Sequence, residues 1–314
     1  QWICPRTGPE ARLSQANDMA GGGLAGNDPA GNDLAGKVVV ITGGTSGLGG
    51  VTAQALAKRG ARIVLVARDR ERTRQTLAAL NAVGPGGGHT AHHADLCLMA
   101  ETRRVAAEIA AAEPRIDVLM NNAGAIFATR QVTAEGLERT FALNHMSYFL
   151  MATGLRDRLV ATPQARVVNT ASGAHRRGHI DFDDLQSTRG YRGFTVYGTS
   201  KLCNILFTRA LARRLIGTGV TANSFHPGFV ATRFGDQSGW WSALTIKFGK
   251  AFMALSEEKG ADTMIYLASS PEVAGVTGEY FFERKPKQPT AEARDDAVAE
   301  RLWQVSADIA GFDL

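Results

Sequence analysis

Val38-Val-Val-Ile-Thr-Gly-Gly-Thr-Ser-Gly-Leu-Gly49 decides how this chain folds. Val38 to Ile41 is a short, uninterrupted apolar run, as expected of a strand covered on both faces. Glycines follow at once, and a helical stretch, Val51 to Arg59, comes after them. Glycine allows a tight turn and lets a backbone approach a pyrophosphate closely. The helix start adds unpaired N–H groups and a favourable dipole. Gly43, Thr45, Ser46, Gly47, Leu48 and Gly49 are therefore candidates for holding the phosphates of a dinucleotide. The spacing is Gly-x-x-x-Gly-x-Gly, which differs from the usual Gly-x-Gly-x-x-Gly. No Lys-Ser/Thr follows, so the turn is not a nucleotide-triphosphate loop of the Walker type. The competing role is a tight strand-to-helix connection with no ligand.

Outward from this turn, strands and helices alternate. Strands are predicted at Arg62 to Val66, His89 to Ala94, Val118 to Met120, Arg166 to Thr170 and Val220 to Ser224. Helices are predicted at Arg70 to Leu80, Met99 to Ala112, Ala134 to about Val160, and Tyr197 to Ile216, the last carrying an amphipathic run from Leu202 to Leu215. Such alternation argues for an α/β protein with a doubly wound parallel sheet, a Rossmann fold, in a single domain. Ligands of such sheets bind beyond the carboxyl ends of the strands.

The remaining chain narrows the class. Its 314 residues, 44% hydrophobic and 21% charged, suffice for a large core. The net charge of +5 is spread among interleaved acids and bases, as in Arg68-Asp-Arg-Glu-Arg72. A mixed solvated surface is expected rather than a nucleic-acid face, and the basicity suits an anionic small ligand. Three cysteines, Cys4, Cys97 and Cys203, have no metal-ligand spacing and read as reduced thiols in a cytoplasmic setting; no metal is expected. No apolar run reaches the ~18 residues of a membrane span, so no membrane anchor is expected. Residues 1–35 carry two tandem copies of Ala-Gly-Asn-Asp, at 25–28 and 30–33, without a hydrophobic face, and are expected to be a flexible extension, leaving 36–314 as the folded domain.

Further candidates arrive in order at the strand ends. After the second strand, Ala67 stands where an acid would bind the ribose hydroxyl of NAD, and Arg68 follows it. That arrangement favours the 2′-phosphate of NADP, with NAD the less favoured cofactor. Asp69 either points inward, favouring NAD, or caps the next helix. Asp95 and Leu96 after the third strand are placed to contact an adenine, and Asn121-Asn122-Ala123-Gly124 after the fourth puts amides and a glycine at the cofactor edge. Ser172 ends the fifth strand and can donate to a carbonyl oxygen. Tyr197 and Lys201 are four residues apart, on one helix face. Only about 0.1% of an ordinary phenol is ionised at pH 7, and a fixed ammonium would favour the phenolate. A chance surface pair is the competing account of that spacing. Asn144, mid-helix, either faces solvent or organises a water behind Lys201.

Together, Thr42-Gly-x-x-x-Gly-x-Gly49, Asn121-Asn-Ala-Gly124, Asn144, Ser172, Tyr197-x-x-x-Lys201 and Pro227-Gly228 resemble the short-chain dehydrogenase/reductase superfamily, over about Leu34 to Leu314. Phe182-Asp-Asp-Leu185, Ser200 to Arg209, His226-Pro-Gly228 and Leu302-Trp-Gln-Val-Ser306 resemble its retinol dehydrogenase-like branch, which includes the WW-domain-containing oxidoreductase type. Light-dependent protochlorophyllide reductases are related, but Phe229 stands where they carry cysteine. The resemblance implies that Tyr197 exchanges a proton with the substrate oxygen and that Lys201 holds the nicotinamide ribose and depresses the Tyr197 pKa. It implies that Ser172 polarises the carbonyl and that Asn144 completes a water-mediated relay. Pro227, Gly228, Val230 and Thr232 would hold the carboxamide end. It implies hydride transfer between NADP(H) and a carbonyl/alcohol substrate, and homo-oligomers are one implied assembly. A cofactor-binding regulatory or scaffold protein with little turnover is the alternative.

Substrate selection is expected between Thr232 and about Leu255, helped by His175 to Tyr191. Trp240, Trp241, Phe248 and Phe252 make the first segment apolar, which suits either a lid over a hydrophobic substrate or a helix pair packed on the core. His175 and His179 are expected to be loop residues without a role, and Cys203 to pack away from Lys201.

Overall fold

The computed structural model describes residues 32–85, 87–228 and 257–312. Eight strands form one sheet in the order β3-β2-β1-β4-β5-β6-β7-β8. They are β1 (Val38–Thr42), β2 (Arg62–Ala67), β3 (Thr90–His93), β4 (Val118–Asn121), β5 (Arg166–Thr170), β6 (Thr221–Phe225), β7 (Tyr280–Phe282) and β8 (Lys285–Pro286). All pairs are parallel except β7 with β8. From β1 the chain builds outward through β2 and β3, then returns to pair β4 with β1 on its other side. The direction of winding thus reverses between β1 and β4, where such sheets open a ligand crevice.

Strand alternation sorts the core into two layers. Val38, Val40, Val64, Val66, Leu119 and Val167 face one cluster with α3 (Met99–Ala112), α5 (Ser147–Gly154), α7 (Gly193–Arg214) and α9 (Asp296–Ile309). Val39, Ile41, Ile63, Leu65, Met120 and Val168 face the other, with α1 (Gly47–Lys58) and α8 (Glu257–Ser269). A period of two on strands buried on both faces gives this division.

The turn Asn32 to Gly36 belongs to the folded body. Leu34 is buried, its N–H bonds the Arg59 carbonyl, and Asp33 pairs with the Arg59 guanidinium.

Two helices differ from expectation. The predicted span Ala134 to Val160 begins instead at α4 (Arg139–Phe141), because Gly136 turns the chain at φ +83° and the Glu138 carboxylate caps the amides of Thr140 and Phe141. It then passes through a π turn (Ala142–Met146) into α5, and breaks at Leu155 before α6 (Arg156–Val160). Helix α7 is not amphipathic. Fourteen of its 22 residues are buried, Leu202 to Thr208 among them, since the sheet, the π turn and α9 all pack on it.

Candidate active site

The Gly-rich turn leaves the carboxyl end of β1 with Gly43 at φ +68° and Gly47 at φ +56°, conformations that disfavour any other residue. Space is as tight as the backbone. A Cβ on Gly49 would lie 2.4 Å from the Gly43 carbonyl oxygen and 2.6 Å from Asn122 Nδ2. Thr42 ties this turn to β4: its hydroxyl accepts from the amides of Asn122 (2.9 Å) and Ala123 (3.1 Å). Asn122 Nδ2 in turn donates to the carbonyls of Thr42 and Gly43, at 3.1 and 3.2 Å. Ser46 is the residue before α1, exposed, with no side-chain capping bond, and Thr45 beside it is half-buried. Among the described residues the amides of Gly47, Leu48 and Gly49 find no acceptor. Free amides, a free hydroxyl and the dipole of a 12-residue helix converge on this opening. These features fit a dinucleotide diphosphate.

At the end of β2, the choice left open by the sequence resolves at Asp69. Its Oδ1 accepts from the Arg72 amide at 3.0 Å, capping α2 (Arg70–Val83). Arg68 is exposed and pairs with no described acid. After β3, Asp95 Oδ1 accepts from the Cys97 amide at 3.0 Å, and Leu96 is buried. Asn121, expected at the cofactor edge, instead turns back under the sheet. Its Nδ2 donates to Asn169 Oδ1 at 2.9 Å, and Asn169 donates to Thr208. The last residue of a fully covered strand alternates inward, which sequence spacing alone did not reveal.

Ser172, Tyr197, Lys201 and Asn144 come together beyond β4 and β5. Ser172 opens a short 3₁₀ turn (Gly173–Arg177), and its hydroxyl bonds the Tyr197 phenol and accepts from the Ala174 amide. Tyr197 and Lys201 lie one turn apart on α7, 7% and 1% exposed. Lys201 Nζ donates to the Thr170 carbonyl at 2.9 Å and lies 5.7 Å from the centre of the Tyr197 ring. Asn144 sits in the π turn. Its Oδ1 accepts from the Ala125 amide at 2.9 Å, and its Nδ2 donates to the Ala125 carbonyl and to Ser200 Oγ, both at 3.0 Å. Ser200 Oγ donates onward to the Tyr197 carbonyl at 2.7 Å. Asn144 therefore latches α7 to the loop after β4, rather than facing solvent. A Cβ on Gly124 would stand 3.1 Å from Asn144 Oδ1 and 3.4 Å from Lys201 Nζ. The missing side chain leaves open the volume that both polar groups face, a second feature fitting a bound cofactor.

The electrostatics differ from the simple expectation. Burial pushes the Tyr197 phenol up to about 12, with the Ser172 hydroxyl pulling the other way. Burial also brings Lys201 down to about 7. In the protein alone, desolvation opposes charge on each partner and decides the direction of both shifts.

His175, expected to lack a role, is fully buried. Its Nδ1 bonds the Ser172 carbonyl at 2.7 Å, and its ring packs edge-on to Tyr280 at 5.1 Å. His179 remains exposed and bonds Glu292. Cys203 is buried in the core beside Leu202, as a packing residue. At the end of β6, Gly228 adopts φ +80° and its amide donates to His226 Nδ1. Pro227 beside it is half-buried. Val230, Thr232 and the whole expected substrate segment to Leu255 lie outside the described residues. No group of metal-ligating side chains occurs among the described residues, and no described helix is long and apolar enough to cross a membrane.

The family described as short chain dehydrogenase matches residues 37–241. Human retinol dehydrogenase 13 is 42% identical over 287 residues, covering 88% of this chain and 86% of that protein. Mouse retinol dehydrogenase 14 is 39% identical over 289 residues, with 88% and 86% covered. The solved NADP active-site complex of Pseudomonas aeruginosa RhlG superposes with a TM-score of 0.65 at 29% identity, covering 81% of this chain and 97% of that one. With more than half its length matched and relatives of this identity, the chain belongs to the short chain dehydrogenases, in their retinol dehydrogenase-like branch, and is an oxidoreductase acting on the alcohol/carbonyl pair.

Proposed function

We propose that the protein interconverts a carbonyl and an alcohol on a lipophilic small molecule with NADP(H), Tyr197 exchanging the proton. The observation that carries this reading is that Ser172 bonds the Tyr197 phenol while Lys201, 5.7 Å from the centre of that ring, faces the volume beside Gly124. NADP(H), when bound, supplies or accepts the hydride. Gly43, Thr45, Ser46, Gly47, Leu48 and Gly49 hold its diphosphate, Arg68 its 2′-phosphate, and Asp95 and Leu96 its adenine. Asn122, Ala123 and Gly124 line its ribose and ring, and Pro227, Gly228, Val230 and Thr232 its carboxamide. Capping duty withdraws Asp69 from the ribose, which supports NADP over NAD.

Ser172 donates to the substrate oxygen, and Tyr197 gives that oxygen its proton in reduction or takes it in oxidation. One Lys201 N–H is spent on Thr170, which fixes the ammonium and leaves two for the cofactor ribose. Asn144 keeps the helical turn bearing Tyr197 in register through Ser200. Phe194, half exposed and 6.4 Å from the Tyr197 ring, gives the mouth of the site an apolar wall. Retinol and its aldehyde, suggested by the names of the relatives, are the first substrates to try.

A panel of hydrophobic aldehydes and alcohols with NADP(H) and NAD(H) tests the reading. Turnover with NADP(H) is expected. Tight cofactor binding without turnover of any substrate would favour a scaffold instead. Arg68→Asp is expected to shift the preference toward NAD by tenfold or more, about 1.4 kcal/mol. An unchanged ratio removes Arg68 from the phosphate site.

A further inference from the structure

The Lys201 ammonium lies near two phenol rings. Nζ stands 5.7 Å from the centre of the Tyr197 ring and 5.4 Å from the centre of the Tyr148 ring. Tyr148 projects from α5, one helical turn beyond Asn144, and is fully buried. Nothing in the proton exchange described above uses it. Its hydroxyl faces the Thr170 hydroxyl without closing a hydrogen bond of ordinary geometry, so both oxygens are buried and unsatisfied. A buried phenol with an idle hydroxyl contributes chiefly through its ring. An aromatic face within about 6 Å attracts a cation, and the attraction grows when water is excluded.

We propose that Tyr148 is a positioning residue for Lys201, its ring face holding the ammonium against the Thr170 carbonyl and aimed at the volume beside Gly124. The proposal deepens the proposed function, resting on Lys201 as the cation of that site. Among the groups facing Lys201, only the Tyr197 ring offers the ammonium another aromatic face, at 5.7 Å against 5.4 Å for Tyr148, and the proposed reaction already uses Tyr197 for the proton. From α7 comes Tyr197, a neutral phenol; from β5, the Thr170 carbonyl; from the π turn, the neutral Asn144 amide; and from the loop after β4, Gly124. The neighbouring His145 bonds Ser306 at 2.8 Å, and burial holds its ring neutral at physiological pH. Burial alone lowers the Lys201 pKa, and no carboxylate among the described residues offsets it. A cation with no counter-charge and one carbonyl partner gains from an aromatic face.

The test reads Lys201 directly, in the full chain without substrate. Lysine labelled with ¹³C at Cε is titrated by NMR, and the Lys201 resonance is identified by its loss in Lys201→Arg. Tyr148→Phe keeps the face and is expected to titrate as wild type. Tyr148→Leu is expected to lower the Lys201 midpoint by about one pH unit, a tenfold change in the charged-to-neutral ratio. Should Tyr148→Leu fail to fold, mono-, di- and trifluorophenylalanine at position 148 drain the ring face with little change of shape. Each added fluorine is then expected to lower the midpoint further. A midpoint unmoved in Tyr148→Leu or across the fluorinated series overturns the proposal. So does a Tyr148→Phe shift as large as that of Tyr148→Leu, which would assign the hydroxyl instead of the ring. Because the titration needs no turnover, failure of the proposed reaction and failure of this inference are distinguishable.

Discussion

Full burial sets Tyr197 and Lys201 against their charged forms, and that cost is the physical problem the site must solve. The phenol pushed up to about 12 is a proton donor at neutral pH and a poor base. Lys201, near 7, is poised between charge states. In the protein without ligands, the difference spectrum between wild type and Tyr197→Phe should show phenolate only as the pH nears 12. Ionisation near 7 would show that Lys201 dominates after all. Tyr197→Phe should lower turnover by a factor of at least 10³ while NADPH affinity, followed by its fluorescence, changes little. Retained activity would sink the proton-exchange role.

Between residue and fold stand the short elements that aim these groups. The turn from β1 to α1 has no slack: Gly49 packs against the Gly43 carbonyl and Asn122. Gly49→Ala should cost roughly 1–3 kcal/mol of stability through backbone displacement. Its NADPH affinity should fall as well, read as a smaller rise of Tm on adding NADPH. A normal Tm with normal NADPH stabilisation would show the contact to be soft. The π turn at Ala142–Met146 works similarly, since its extra residue turns Asn144 toward Ala125 and Ser200. Such turns inside α-helices often mark functional positions. The same turn carries His145, buried against Ser306 and held by burial down to about 3. Its folded pKa lies below the unfolded value near 6.5, so between those limits the unfolded chain binds the extra proton. Stability is therefore lost as pH falls from about 6.5 toward 3, with a slope of about 1.4 kcal/mol per pH unit from this residue. His145→Gln should flatten that part of a Tm-against-pH curve. An unchanged slope would assign the acid sensitivity elsewhere.

At the scale of the molecule, α9 packs along α7, the helix that bears Tyr197 and Lys201. Trp303 is fully buried, stacked on Phe207 of α7 at 5.8 Å and set edge-on to Phe149 of α5 at 5.0 Å. Arg214 covers its other side at 4.1 Å. The elements carrying Tyr197, Lys201 and Tyr148 thus share one wall with the end of the chain. Trp303→Ala should cost about 3–5 kcal/mol, measured by urea unfolding. A loss below 1 kcal/mol would show that α9 is dispensable to this wall.

Local signals were strong where one residue type has one physical use. The apolar run of β1, the glycines of its turn, and the Tyr197–Lys201 spacing pointed to the sheet, the tight turn after β1 and the shared helix face, since backbone conformation and helical period follow from sequence neighbours. Whatever depends on distant neighbours was decided by packing. Asn121 and Asn122 are adjacent in sequence, yet one turns under the sheet and the other stitches the glycine turn. Asp69 is a cap because α2 starts beside it, and the run Leu202 to Thr208 of α7 is buried all round because α9 and the sheet both pack on that helix. The charge states of Tyr197 and Lys201 belong to this second group, because desolvation is set by everything that surrounds a side chain.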